Sequence, residues 1–381
     1  MILVFSGRKH HKQKLQPVFD SLVKDRDVRW LITNNAINID PPLLYMNPSG
    51  QPFVHAYMQM RPGDDELVDR IVEKTLASTP LIPGVSPWWQ VYSVREAAEL
   101  IVSYEHTLEN CEAVVILHSN NFFAKPLAYL AQSKGIPVFA FQEGVLRDRD
   151  QQTMNKQASA SEYVDKLFVW SNTAKKQYIA AGLKSNQITV SGPTHLDYYI
   201  NMSREEAFAR TKTDVPTVLF VPTLQEEYVG NISQDARFLH SFATRLGYNF
   251  LFRPHPFELE AGTYGNLVAE LNTFEAPENL VLCRNGNTIV IGQHSTIMLE
   301  AVACGAPVIE YQERGLDILH PLAPVAALTA TKETFPNLLA GIQEHLANFD
   351  VKRLQKFIRD EFGDNLGKAT SVVVTEIKKS L

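Results

Sequence analysis

Short apolar runs alternate with amphipathic segments along most of the chain. The runs at 2–6, 28–33, 113–118, 136–141, 167–171 and 188–191 are apolar almost throughout, the pattern of strands buried on both faces. Helical spacing fits 14–25, 64–78, 92–110, 121–134 and 172–181 between them; the fourth follows Ser119 and Asn120 and stops at Gly135. The pattern then restarts. Strand-like runs recur at 217–221, 248–252, 279–283, 288–291 and 307–311, with helical spacing at 233–247, 263–275, 296–304 and 333–348. Strands that alternate with helices predict parallel sheets covered on both sides. The stretch 192–215 between the two series is polar and headed by Gly192 and Pro193, so the boundary is placed there. The expectation is an α/β chain of two doubly wound, Rossmann-like domains, 1–192 and 193–350, facing a cleft, with helices in 351–381 packing back on the fold. Ligands of such sheets bind outside the carboxyl ends of the strands.

Composition narrows the class. The chain has 381 residues, enough for about two domains. Its 45% hydrophobic and 20% charged content excludes disorder, collagen and coiled coil as the main architecture. A net charge of −6 argues against a general nucleic-acid binder. Cys111, Cys283 and Cys304 form neither a CxxC pair nor a disulfide framework, as expected in a reducing compartment. No apolar run is long enough for a membrane-spanning helix, and the first residues place apolar before charged, the reverse of a signal peptide. A cytoplasmic protein is expected. In 351–362 an apolar stripe of Val351, Leu354, Phe357, Ile358 and Phe362 runs beside Lys352, Arg353, Lys356 and Arg359. That pattern fits a surface helix packed on the fold or a peripheral contact with the inner membrane face.

The candidate chemistry sits at strand ends. The run 248–252 leads into Arg253-Pro254-His255-Pro256, where each proline disfavours helix at the residue before it. An arginine and a histidine held at a stiff strand exit suit phosphate oxygens. The run 288–291 leads through Gly292 and His294 to Ser295-Thr296 at the start of a helix, whose free N–H groups and positive dipole end favour an anion. Glu300, one turn on, is placed to reach a ribose hydroxyl, and Thr223 after 217–221 to line the same pocket. In the first half, 136–141 ends in Gln142-Glu143-Gly144, where an exposed Glu143 can take a proton from a hydroxyl, with Arg147 as an anion partner. Arg8, Lys9 and His10 follow the first run, and His118 and Asn120 follow another; these are candidate acceptor contacts. Asp148-Arg149-Asp150 has a DxD form, but Asp25-Arg26-Asp27 repeats it without rationale, so no metal site is assigned. There is no GxxxxGK[ST] loop, GxSxG elbow or GxGxxG turn after the first run.

Taken together these residues resemble GT-B glycosyltransferases, and more narrowly the bacterial group that uses cytidine-nucleotide donors. Gln142-Glu143-Gly144, His255-Pro256 and Ser295-Thr296 stand where sialyltransferases carry a D/E-D/E-G, an HP and a Ser/Thr motif. Glu143 to Arg147 is similar to the latter part of the E-D-G-F-L-R stretch of capsule Kdo transferases. The RPHP run and the Ser-Thr pair are similar to motifs of CDP-glycerol glycerophosphotransferases. Residues 169–199 resemble the interdomain portion of these families and of UDP-GlcNAc 2-epimerases. The likeness covers roughly 110 to 310; one departure is Gln142, which replaces the first acid of the sialyltransferase pair. The resemblance implies an inverting, metal-independent glycosyltransferase without a resident cofactor. It would move a sugar from a nucleotide-activated donor, CMP-linked in the families it resembles most, to a glycan or lipid-linked acceptor of a capsule or lipopolysaccharide. Glu143 and His255 would be catalytic, with Arg253, Pro256, Thr223, His294, Ser295, Thr296 and Glu300 on the donor. The alternatives are a CDP-polyol phosphotransferase, a UDP-sugar 2-epimerase and a non-enzymatic nucleotide- or glycan-binding module.

Overall fold

The computed structural model describes residues 1–5, 9–32, 53–55, 61–77, 94–117, 124–144, 163–224, 230–275, 277–293, 295–311, 328–341 and 351–381. The chain divides into two compact units, Met1–His195 with Lys368–Leu381, and Leu196–Gly367.

The first unit is built on a parallel sheet of β1 (Ile2–Phe5), β2 (Val28–Ile32), β3 (Phe53–His55), β4 (Ala113–Leu117), β5 (Val138–Phe141), β6 (Lys166–Val169) and β7 (Ile188–Val190). Their order is β3-β2-β1-β4-β5-β6-β7. The all-apolar strands fit because both faces are covered. Leu3 and Phe5 point into a layer with Leu100, Tyr104 and Leu127. Ile2 and Val4 point the other way, toward Leu15, Phe19 and Ile377. Each such side chain, fully buried, contributes on the order of 1.5–3 kcal/mol. The 369–379 segment that supplies Ile377 is the last helix, Ala369–Lys379, and it packs on helix Lys9–Leu22. Lys378 reaches Asp25 at 2.5 Å and Lys166 reaches Glu376 at 2.9 Å. Helix Val351–Phe362 belongs instead to the second unit, with Phe357 and Phe362 buried and Lys352 and Lys356 exposed.

The second unit has a parallel sheet of β8 (Thr217–Val221), β9 (Asn249–Phe252), β10 (Thr288–Gly292), β11 (Val308–Tyr311) and β12 (Leu328–Ala330), ordered β12-β11-β10-β8-β9. The α/β class with doubly wound parallel sheets is therefore as the sequence pattern implies. In each sheet the strand order reverses once, between β1 and β4 in the first and between β8 and β10 in the second.

Two local expectations are corrected. Residues 279–283 are not a strand but the start of helix Asn279–Arg284, whose Leu280, Val281, Leu282 and Cys283 are all buried. A short apolar run carries no period that separates a buried helix from a buried strand. The polar stretch 192–215 holds helices Asp197–Asn201 and Arg204–Thr211. The second starts as the sequence allows: the Ser203 hydroxyl accepts the Glu206 N–H at 3.0 Å, an N-cap with acids in the first turn.

Candidate functional site

In the second unit the donor candidates gather on three neighbouring strands, β9, β8 and β10. Phe252 pairs with Phe220, and Val221 pairs with Gly292, so the three strands end at one level. The Arg253 N–H continues the ladder, donating to the Phe220 carbonyl at 2.9 Å. Arg253 and His255 are half-buried, Pro254 is buried and Pro256 exposed. The His255 carbonyl accepts the N–H groups of Glu258 and Leu259, both at 3.0 Å, which starts helix Pro256–Glu260 with proline in its first position. His255 is thus tied down through its backbone carbonyl. Burial pulls the Arg253 guanidinium below its usual range, although arginine stays a cation at any accessible pH. A partly desolvated cation gains when an anion is brought against it.

At β8, Pro222 and Thr223 are buried just past the strand. At β10 the chain ends in Gly292 because nothing larger fits. A Cβ there would lie 2.5 Å from the Val221 carbonyl oxygen and 3.0 Å from the Met298 sulfur. Gln293 follows, buried, and then helix Thr296–Cys304. Ser295 takes the N-cap position, but its side chain makes no capping hydrogen bond. Its extended backbone instead lets the carbonyl accept the Met298 N–H at 3.1 Å. The first-turn N–H groups and positive dipole end therefore lie beside the β10 exit, at the point where the strand order reverses. Glu300 is buried on this helix, and its charge, with burial as the larger cause, helps push the Cys304 thiol up to about 12. Glu310 on β11, paired with Gly292, is a further buried carboxylate that the sequence did not single out.

In the first unit, Glu143 lies two residues past β5 and is half-buried. Its turn is held by side-chain bonds to the backbone. The Gln142 amide oxygen accepts the Trp170 N–H at 2.8 Å, and the amide nitrogen donates to the Gly144 carbonyl at 2.8 Å. The Lys14 ammonium donates to the Glu143 carbonyl. Lys14, Gln142, Trp170, Thr194 and His195 line a small pocket there, above the ends of β4, β5 and β6. The Trp170 and His195 rings lie 5.7 Å apart, and the Thr194 hydroxyl donates to the Lys14 carbonyl at 3.0 Å. Tyr178, fully buried, has its phenol pushed up by burial first and by the Glu143 charge second, so the carboxylate acts on the layer beneath the turn.

The helix expected over 14–25 already starts at Lys9, so the basic residues from Lys9 on lie in helix Lys9–Leu22. Lys12 in it lies 5.1 Å from the Trp30 ring centroid and, partly buried, has its ammonium pulled down. The side chains of Lys9 and His10 lie outside the described residues, as do Arg8, His118, Asn120, Arg147, Asp148, Asp150 and His294. Among the described residues, no group of three or more His, Cys, Asp or Glu side chains is arranged to hold a metal ion. Among the same residues, no helix is long and apolar enough to cross a membrane.

Solved structures with this fold span the whole chain. The UDP-GlcNAc 2-epimerase of Neisseria meningitidis, bound to UDP-GlcNAc, matches with a TM-score of 0.59 and 15% identity over 99% of both chains. The Methanocaldococcus jannaschii UDP-GlcNAc 2-epimerase, in complex with UDP-GlcNAc and UDP, matches at 0.60 and 16%, again over 99% of both. The wall teichoic acid polymerase TagF, soaked with CDPG, matches at 0.58 and 13%, over 100% of this chain and 88% of that one. No family model matches the sequence. No curated protein is significantly similar to it. The likeness establishes the fold, two Rossmann-like domains as in GT-B enzymes.

Proposed function

We propose that this chain is an enzyme acting on a nucleotide-activated sugar, with the nucleotide phosphates held by the second unit and Glu143 serving as a proton-transfer group. The observation that carries the reading is the convergence of Arg253, His255, Thr223 and the N-terminus of helix Thr296–Cys304 at adjoining ends of β9, β8 and β10. A cation, a histidine and a positive helix end at a strand-order reversal are the means by which a fold holds phosphate. The same donors stabilise charge that develops as a nucleotide leaves.

Two reactions use these parts. The first, favoured by the whole-length likeness to two UDP-GlcNAc 2-epimerases, is inversion at carbon 2 of a UDP-linked sugar. Inverting a C–H centre needs a base to take the proton from one face and an acid to return one to the other, and Glu143 supplies one of these. The second is transfer, favoured by the RPHP run, the Ser295-Thr296 pair and the likeness to TagF. Here Glu143 takes the acceptor hydroxyl proton, the hydroxyl oxygen bonds to the sugar's anomeric carbon, and the bond from that carbon to the nucleotide phosphate breaks. A cytidine-nucleotide donor and a glycan or lipid-linked acceptor fit this second reading, and neither reading routes a step through a metal.

The deciding experiment is incubation with UDP-GlcNAc alone in deuterated water, followed by NMR. Appearance of the carbon-2 epimer with deuterium at that carbon supports the first reading. Inertness there, with consumption of a CMP-sugar only when an acceptor is added, supports the second; consumption of a CDP-polyol instead, in which the acceptor oxygen bonds to the polyol-bearing phosphorus and CMP leaves, would make the chain a polyol-phosphate transferase. Calorimetry with UDP, CMP and CDP tests the phosphate site itself, and absence of binding by all three overturns the assignment.

A further inference from the structure

We infer that Gln142 is a positioning residue whose side-chain amide, acting as donor and acceptor at once, sets the orientation of the Glu143 carboxylate. The inference rests on the proposed role of Glu143. Gln142 leaves β5 in register, its N–H donating to the Phe168 carbonyl at 2.9 Å. Its side chain is 5% exposed and spends both amide functions on backbone. The oxygen takes the Trp170 N–H at the exit of β6, and the nitrogen reaches forward to the Gly144 carbonyl, each at 2.8 Å. The first bond ties the turn to the neighbouring strand, and the second closes the turn on itself around Glu143. Lys14, from helix Lys9–Leu22, holds the carbonyl of Glu143. The backbone on both sides of the Glu143 side chain is therefore fixed from two directions.

The chemistry of this arrangement explains why an amide stands where the resembling transferases carry an acid. An ionised carboxylate accepts only. At 142 it would keep the Trp170 bond but would set an anion against the Gly144 carbonyl oxygen, and it would add a second negative charge next to Glu143. The half-buried Gly144 carbonyl would lose its donor and face an anion, so the turn would loosen. Protonated glutamic acid has the same pattern as glutamine, one acceptor and one donor. Among the described residues, the charged or titratable groups that face position 142 are Lys14 and His195 across the pocket and Glu143 beside it.

The test compares Gln142→Leu and Gln142→Glu with Glu143→Gln. The first readout needs no turnover: the carboxyl ¹³C signal of Glu143, assigned by its loss in Glu143→Gln, is followed through a pH titration. Both Gln142 variants are expected to move its chemical shift and midpoint. Amide exchange at Trp170 is expected to quicken in Gln142→Leu and to stay slow in Gln142→Glu, which keeps the acceptor. The second readout is turnover on whichever nucleotide-sugar is found active. A misplaced catalytic group loses on the order of 10- to 100-fold in kcat, with KM and nucleotide affinity little changed. Gln142→Glu should regain rate relative to the parent as pH falls through its own titration, because the protonated form restores the donor. A purely structural role predicts no such recovery. An unmoved Glu143 signal in folded Gln142→Leu overturns the inference whatever the reaction is. Full turnover in Glu143→Gln overturns the role of Glu143 instead, and the two failures are read separately.

Discussion

The two units present functional candidates at strand exits by different means. In the first, the turn after β5 is held by side-chain bonds that join distant parts of the chain. Gln142 in the turn takes the Trp170 N–H, 28 residues on, and Lys14 reaches Glu143 from 129 residues earlier. In the second, the exits are shaped by the backbone types at the positions themselves. Pro222, Pro254 and Pro256 restrict their neighbours, and Gly292 admits the Val221 carbonyl where a Cβ would collide. The difference teaches where each unit is vulnerable. A side-chain clamp can be cut without disturbing the sheet beneath it, whereas a backbone-shaped exit cannot be altered without moving a strand.

The largest expected effect cuts across that comparison. Glu143→Ala should lower turnover on the order of 10²- to 10⁴-fold while leaving nucleotide affinity unchanged. The loss is confined to chemistry because the turn is anchored through the carbonyls of 143 and 144, which the substitution keeps. Steady-state rates beside calorimetry check it, and a parallel loss of nucleotide affinity would place Glu143 on the donor instead.

Next come Arg253→Ala and His255→Ala. Each removes a charge-assisted or polar contact to phosphate, about 1.5–3 kcal/mol if the group bears charge, or roughly 10- to 150-fold in affinity. Folding should survive both. The bonds from the Arg253 N–H to the Phe220 carbonyl and from the Glu258 and Leu259 N–H groups to the His255 carbonyl run through main-chain atoms that alanine retains, and a melting curve of each variant checks the fold. Calorimetric titration with UDP and CDP reads the change, and unchanged affinity in both variants would remove the phosphate site from these strand ends.

Gly292→Ala attacks the backbone-shaped exit directly. Its Cβ meets the Val221 carbonyl oxygen at 2.5 Å, and that atom is backbone of a central strand, so it cannot swing aside. Overpacking of this kind costs about 1–3 kcal/mol. The displaced β8 exit carries Thr223, so nucleotide binding should weaken together with the melting temperature. Equal stability in the variant would mean that the two strands have slack at their ends.

These contrasts also explain what could be read from residues alone. The buried strands were legible because runs such as Ile2–Phe5 and Ala113–Leu117 recur at intervals between helical segments, the alternation of a parallel sheet covered on both faces. The exits in the second unit were plain because proline and glycine act at the position where they stand. Helix Asn279–Arg284 was misread because six residues, four of them buried, show no amphipathic period. Helix Arg204–Thr211 announced itself through Ser203 and Glu206, but its exposed polar face looks like a linker. The Gln142 clamp was out of reach, since its partner is a main-chain N–H whose place is set only by the pairing of β5 with β6. From the sequence, Gln142 was merely a missing acid.

The smallest effect concerns a cluster away from both sets of strand exits, and it serves as a control for them. Helix Asp64–Ala77 begins where helix Val94–Leu108 ends, and His106 joins them. One ring nitrogen lies 3.0 Å from Asp64 and the other 3.2 Å from Glu109. The Arg61 guanidinium adds a 2.7 Å bond to Glu109, and its N–H a 2.6 Å bond to Asp64. The Arg61 bond first, and His106 second, hold Glu109 down at about 2; the Arg61 N–H first, and His106 after it, lower Asp64. Depressed carboxylates stabilise the fold above their unfolded values, near 4. That contribution is lost as pH falls toward about 2, where Glu109 takes up its proton in the folded state. Glu109→Gln should therefore cost a little stability at pH 6 and nothing at pH 2, flattening the fall of melting temperature between pH 5 and 2. The change is small because Glu109 and Arg61 are largely in water, where such a pair is screened. Nucleotide affinity and turnover at neutral pH should not move, because the cluster sits at helix ends that precede the amino edge of β4. An unaltered slope of melting temperature against pH in Glu109→Gln would show that these bonds are not populated in solution.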